Sequence, residues 1–241
     1  MAKQLTVEVW SDIACPWCYI GKRRLETALE KFPHRDQVKV VWHAFELDPS
    51  APAVRDSSQS YPERIAKKYG TDVAQASAMM QRVVDTAKAE GLDFDFEIAR
   101  SGNTFLAHRL LHLAKERGLQ DAVKERFLRA YLCEGEKIGE PETLARLATE
   151  AGLDADEVHG LLSTDLYADA VLADELEARQ IGVDGVPFFL LGRRYAVPGA
   201  QPAELLLQAL NKAWDELPES FETLDSGTAA EGAVCGPDGC A

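Results

Sequence analysis

The 241-residue chain is 46% hydrophobic and sets 26 Lys and Arg against 40 Asp and Glu, a formal net charge of -14 at pH 7. That length and apolar content are enough for one large core, or one core carrying a substantial inserted subdomain, with no disulfide staple or metal needed to hold it. The negative charge repels a phosphate backbone, and no run of Lys and Arg interleaved with aromatics offers a local exception, so nucleic acid is excluded as an expected partner.

Met1 to Trp10 passes almost at once into an alternating strand pattern, with no apolar h-region and no small-residue cleavage site of a secretory signal. No stretch reaches about 18 uninterrupted apolar residues, so no membrane span is expected. The 5 cysteines, Cys15, Cys18, Cys133, Cys235 and Cys240, fit two local dithiols and a singleton better than a secreted disulfide framework. A cytoplasmic, reducing compartment is the expectation, with catalytic or metal-binding roles open to the thiols.

Leu5 to Trp10 is rich in β-formers and reads as a strand. From Pro16 to Lys31 the spacing of Cys18, Ile20, Leu25 and Leu29 predicts a helix, and Pro16 is acceptable in its first turn because the missing N–H is an orphan position there. Val38 to Phe45 is a second apolar run, giving a βαβ opening that implies a parallel pair. Pro52 to Ser60 reads as a long loop. A helical pattern follows for more than a hundred residues: Tyr61 to Gly70, Val73 to Gly91, Asn103 to Gly118, Ala122 to Glu134, Glu140 to Ala151, and Asp154 to Ile181, with glycines at or near many of the stops. Gly185 to Leu191 reads as a buried strand that begins with a proline, followed by a short partner around Tyr195 to Val197 and an amphipathic helix from Gln201 to Trp214. The organisation expected is therefore an α/β domain split between residues 1–50 and 182–216, an all-helical insertion over 57–181, and a mobile tail over 217–241 ending in CGPDGC.

The chemistry centres on strand, CPWC, helix. A cysteine at the mouth of a helix faces unsatisfied backbone N–H groups and the positive end of the helix dipole, which favour thiolate over thiol. Cys15 takes that position as attacking thiolate, and Cys18, one turn on and more enclosed, is placed to resolve a mixed disulfide. Pro16 and Trp17 supply no cation between them, so moderate oxidising power is expected within a motif range of about -270 to about -120 mV. Lys22, Arg23 and Arg24 either add positive field near the helix start or form a solvated face. A metal site needs a second cysteine pair at suitable spacing, and only the tail pair is on offer, so no metal and no cofactor are expected.

Pro187 at the entrance of a buried strand is a candidate cis peptide, which would turn the backbone of Val186 toward an extended substrate; an ordinary trans proline is the alternative. Glu8, on a strand covered on both faces, is a candidate proton relay for Cys18, with Asp12 a second candidate and a solvent-facing Glu8 the plainer reading. Gly236-Pro237-Asp238-Gly239 favours a tight turn that brings Cys235 and Cys240 together. A flexible chain of about 18 residues spans about 23 Å, so that pair is a candidate second dithiol that recharges or regulates the first, or an unused exposed thiol pair. Cys133, His108 and His112 read as structural.

SDIACPWCYIGKRR, HAFELDP, NTFLAHRLLHLAKERG, RAYLCEGEKIGEPETLARLA and GVDGVPFFLLGRRYAVPGAQP together resemble the DsbA-like family, in particular its FrnE-type dithiol-disulfide oxidoreductases and isomerases, over about residues 4–214. The terminal CGPDGC resembles the extra C-x4-C of some of these isomerases. The resemblance implies a thioredoxin fold with a large helical insertion, an active dithiol at Cys15 and Cys18, a cis-proline at Pro187, and Glu8 as the acid below the dithiol. Cys133 departs from the family pattern, where a non-thiol residue is usual. Protein thiols and disulfides are the implied partners, with a thioredoxin- or glutathione-type reductant. Two other readings stand beside it: a glutathione-dependent transferase or isomerase of the kappa and 2-hydroxychromene-2-carboxylate isomerase branch, which uses a Ser or a single thiol near the position of Cys15, and a thiol-assisted holdase.

Overall fold

The structure is a computed structural model that describes residues 3–54, 60–100 and 102–218, together with the backbone of Cys235–Gly236 and Gly239–Cys240. Strand β1 (Leu5–Ser11) is central in a four-stranded sheet of order β2-β1-β3-β4, with β2 (Val38–Ala44) parallel to it and β3 (Phe188–Leu191) and β4 (Tyr195–Pro198) antiparallel. The side-chain period of two sends Leu5, Val7 and Val9 into one core with Leu25 and Ala28 of α1 (Pro16–Glu30) and Leu206 and Leu210 of α9 (Ala203–Asp215). Trp10 points the other way, against Ala178 and Val183. β3 begins three residues later than Gly185 because Pro187 has no N–H to give a ladder; its carbonyl instead accepts from Gly199 N at 2.8 Å.

Between β2 and β3 run α2 (Tyr61–Tyr69), α3 (Val73–Ala89), α4 (Phe105–Glu116), α5 (Gln120–Cys133), α6 (Pro141–Glu150), α7 (Ala155–Leu162) and α8 (Ala168–Gln180). The single helix expected over Asp154 to Ile181 is two. Thr164 Oγ1 donates to Gly160 O at 3.0 Å, Tyr167 adopts φ 64°, and the buried Arg109 guanidinium donates to the carbonyls of Leu161 and Leu166, both at 2.8 Å, and to that of Thr164. The apolar pattern runs through this break, and the carbonyls it frees are satisfied by an arginine more than fifty residues earlier in sequence, so the pattern alone hides it.

The helical layer is fixed to the sheet at two places. Leu110, Phe127 and Leu147 share a core with Ile13, in the turn before α1, and with Tyr19 and Ile20 in its first turns. Gln120 at the head of α5 clamps the outer edge of β2: its Nε2 donates to Trp42 O at 2.7 Å and its Oε1 accepts from Trp42 N at 3.0 Å. The side-chain amide thus replaces a missing neighbour strand. Among the described residues no helix is long and apolar enough to cross a membrane.

Candidate active site

β1 ends at Ser11 and the chain turns tightly, with Cys15 N donating to Asp12 O at 3.4 Å and Ala14 N to Asp12 Oδ1 at 3.3 Å. The turn leaves Cys15 as the N-cap of α1, at φ -97° and ψ 114°, with Pro16 next and no acidic side chain in the first turn. No side chain caps the helix, and of its first N–H groups that of Cys18 donates to Cys15 O at 3.1 Å. Cys15 is 4% exposed and Cys18 is 0% exposed, while Trp17 between them stands 40% exposed at the surface.

Opposite the dithiol lies the Val186-Pro187 peptide, which is cis, and the Cys15 thiol donates to Val186 O at 3.6 Å. Gly21, on the face of α1 that meets this loop, permits the approach. A Cβ there would lie 2.9 Å from Pro187 Cγ and 3.2 Å from Phe189 Cζ.

The two thiols titrate as a pair, in which each hydrogen-bonds to the other. The bond to Cys18, burial and the charge of Cys18 push Cys15 well above the ordinary thiol value. Burial pushes Cys18 up as well, but the bond to Cys15, the Lys124 ammonium, the Ser11 hydroxyl and the Asp12 backbone carry it below that value. Of the two sulfurs, Cys15 is the more accessible.

Lys124 is the residue that sequence reasoning missed. It is 0% exposed and donates to Ser11 O at 3.2 Å, and burial pulls it down to about 8. The signal was available: Val123, Lys124, Phe127, Leu128 and Tyr131 are the buried face of α5, and a lysine on that face is anomalous. By contrast, the basic run of α1 is consumed locally, leaving neither of its expected roles. Lys22, only 2% exposed, pairs with Glu26 and with Asp121 and Glu125, both at 3.1 Å, Arg23 pairs with Glu125 and Glu26, and Arg24 pairs with Glu90 at 2.6 Å.

Asp12 is the buried acid beside the dithiol. Burial raises it, but His108 Nε2 at 3.3 Å and the backbone N–H of Leu47 at 2.8 Å bring it below the usual carboxylate value. Burial in turn lowers His108, whose Nδ1 has no hydrogen-bond partner among the described residues. Glu8 is not brought to the dithiol. Strand alternation puts it on the face of Trp10, opposite Val9 and Ser11, where Arg193 donates to it at 2.6 Å and His43 Nε2 lies 3.4 Å away. His43 continues through Asp174, at 2.7 Å, to His112, at 3.1 Å.

Cys133, the last residue of α5, is half-buried, and burial pushes its thiol up to about 11, as suits a packing residue. In the tail, Cys235–Gly236 pairs antiparallel with Gly239–Cys240, Cys235 opposite Cys240. The connection expected to carry that pair to Cys15, and Pro237-Asp238 between the cysteines, lie outside the described residues. Among the described residues no group of three or more His, Cys, Asp or Glu is arranged to hold a metal. A cavity of about 550 Å³ opens beside the dithiol turn, lined by Asp12 and Ala14 with Tyr61, Arg64, Lys67 and Lys68 of α2 among its walls.

A dithiol at the mouth of the helix that follows the central strand of a mixed sheet, faced by a cis X-Pro peptide, defines a protein of the thioredoxin class. Residues 6–211 match the DSBA-like thioredoxin domain, and the chain belongs to that family. It is similar to a probable DsbA oxidoreductase from Streptomyces coelicolor, at 47% identity and TM-score 0.86 over 99% of each chain. It is 28% identical over 212 residues to the uncharacterized protein YwbO of Bacillus subtilis, spanning 85% of this chain and 95% of that one. The cytosolic disulfide reductase DsbM from Pseudomonas aeruginosa, in a structure with GSH, shares the fold at 20% identity and TM-score 0.56, over 87% of this chain and 96% of that one.

Proposed function

We propose that the chain is a protein thiol-disulfide oxidoreductase and isomerase of the FrnE type, acting through Cys15 and Cys18. The Cys15 thiolate attacks one sulfur of a substrate disulfide, that S–S bond breaks, and the other substrate sulfur leaves as thiolate. Cys18 then attacks Cys15, releasing the substrate reduced, or a second substrate thiol displaces Cys15 and the substrate leaves isomerised. Pro16, Trp17, Val186 and Pro187 surround the exposed side of Cys15, and Val186 offers backbone to an extended segment, as strand addition requires. The observation that carries this reading is the division of access: Cys15 at 4% exposure on a bare helix N-terminus, Cys18 sealed one turn below at 0%.

Protein thiols and disulfides are the substrates of this reading, with a thioredoxin- or glutathione-type reductant and a cytoplasmic setting. The Cys235 and Cys240 pair serves as a second dithiol, supported by the antiparallel backbone register that sets the two residues opposite each other. Insulin reduction and refolding of scrambled ribonuclease test the proposal: both activities should require Cys15, and refolding without Cys15 would contradict it.

A glutathione-dependent transferase or isomerase is the second reading, favoured by the cavity whose walls include Arg64, Lys67 and Lys68 beside Ala14. It predicts glutathione conjugation that survives Cys18→Ala. The dithiol reading predicts that no such activity remains.

A further inference from the structure

We propose that the exposed face of α8 is a two-fold interface, on which a second copy of this chain packs its own α8 antiparallel to the first. The inference uses no residue of the Cys15 site, and it stands or falls independently of the dithiol reading.

α8 is apolar on two sides. Its buried side, with Val171, Asp174 and Ala178, packs against β2 and α4 and holds the carboxylate that meets His43 and His112. On its outer side Asp169, Leu172, Leu176 and Arg179 follow one another at steps of three, four and three residues, the spacing of a seam between paired helices, and all four are exposed. Leu172 stands 51% and Leu176 50% exposed in the middle of that seam, and Leu166 at 53% and Ile181 at 40% lie just beyond its two ends. A single exposed leucine is ordinary on a protein surface, but leucines aligned on one helix face form a contiguous apolar patch, which marks a contact surface.

The order of the seam selects its occupant. It reads acid, leucine, leucine, base, so a two-fold axis through its middle sets Leu172 against the partner's Leu176 and Asp169 against the partner's Arg179, each contact occurring twice. A parallel copy would set Asp169 against the partner's Asp169 and Arg179 against the partner's Arg179, and like charges in contact oppose that arrangement. Both charges are available. Among the described residues Asp169 has no ion pair, and Arg179 reaches only Glu175 of its own helix, at 4.0 Å. Ala173, exposed beside the leucines, is small enough to let two helices approach closely. The dipole of α8 by itself would account for an acid in the first turn and a base in the last, but not for two leucines facing water between them.

Sedimentation equilibrium of the full chain across a micromolar concentration series is the test. The wild-type protein should approach twice its 26.5 kDa mass as concentration rises. Leu172→Glu sets a carboxylate against the partner's Leu176 on both sides of the axis, and should weaken association by about a hundredfold or more while leaving the circular dichroism of the chain unchanged. Asp169→Arg should weaken it by about tenfold, and adding Arg179→Asp should restore it, because the exchanged charges meet again across the axis. A wild-type monomer at every concentration overturns the proposal, and is the result expected if another segment of this chain or a different protein covers the patch. A dimer that survives Leu172→Glu overturns it by placing the contact elsewhere, and a charge exchange that fails to restore association overturns the antiparallel register. Should Leu172→Glu fail to fold, the Asp169 and Arg179 exchange, at two exposed positions, carries the test by itself.

Discussion

Two buried polar clusters lie on opposite faces of β1, and they differ in how their charges are paired. On the Trp10 face, Glu8 meets Arg193 and His43, while Asp174 accepts from His43, from His112 and from Ala44 N at 2.8 Å. Among the described residues Glu8 Oε2 and His43 Nε2 lack hydrogen bonds, yet Glu8 and Asp174 each face more than one imidazole or cation. On the dithiol face, Asp12 meets His108 Nε2 and Leu47 N, but among the described residues the Lys124 ammonium has the Ser11 carbonyl and no carboxylate within ion-pair distance. Both clusters carry the cost of burying polar groups. The cluster on the Trp10 face returns it as a fixed orientation of β2 against α4 and α8, and the one on the dithiol face leaves a buried lysine with no carboxylate partner among the described residues.

The contrast is broken most sharply by exchanging one residue on each face. Cys15→Ala should reduce disulfide exchange to background with the melting temperature little changed, whereas Asp174→Ala should destabilise by about 3–5 kcal/mol, the penalty for stripping a buried network of its anion. The folded Asp174→Ala protein should still exchange disulfides. Thermal melts and insulin turnover on both variants check this, and an inactive but fully stable Asp174→Ala protein would join the clusters functionally.

Gly21→Ala couples packing to chemistry, because the added methyl meets the Pro187 ring at 2.9 Å. Overpacking of this kind costs about 1–3 kcal/mol, and displacing Pro187 from the dithiol should slow exchange by more than the stability loss alone accounts for.

The paired cluster also predicts an acid limb. Burial raises Asp174, but His112, His43 and the Ala44 N–H hold it well below the usual carboxylate range. Its folded pKa lies below its unfolded one, so its contribution is complete above the unfolded value of about 3.9 and fades as pH falls through the folded value. Asp174→Asn should be less stable than wild type near neutrality, and the difference should shrink as acid is added. A difference constant with pH would remove the charge from the explanation.

The smallest effect sits at the margin of the dithiol face. Burial, with Glu175 and Asp12 nearby, pushes Glu46 up to about 7. A folded pKa above the unfolded one gives stability at low pH that is lost as pH rises through about 7. Glu46→Gln should therefore raise the melting temperature slightly above pH 7 and change little below the unfolded carboxylate value, as a melt series across pH would register.

What was legible in the sequence follows from where its interactions lie. β1, CPWC and α1 rest on alternation, a first-turn proline and helical spacing, all within thirty residues, and they read almost to the residue. The α7–α8 break depends on Arg109 from a distant helix, and no local rule carries it. Asp12 and Glu8 are both acids near the motif; only the pleat, with Ser11 as its last residue, tells which face each takes. Lys124 was visible as a charge on the apolar stripe of α5, but its hydrogen bond to Ser11 O joins residues 113 positions apart, beyond any local rule.

The most direct measurement is mass-spectrometric mapping of the covalent adduct formed when reduced Cys18→Ala protein meets a disulfide-bonded substrate. The account predicts a stable adduct on Cys15 that wild-type protein resolves and Cys15→Ala does not form. An adduct mapped to Cys133, or none in the absence of Cys18, would contradict it.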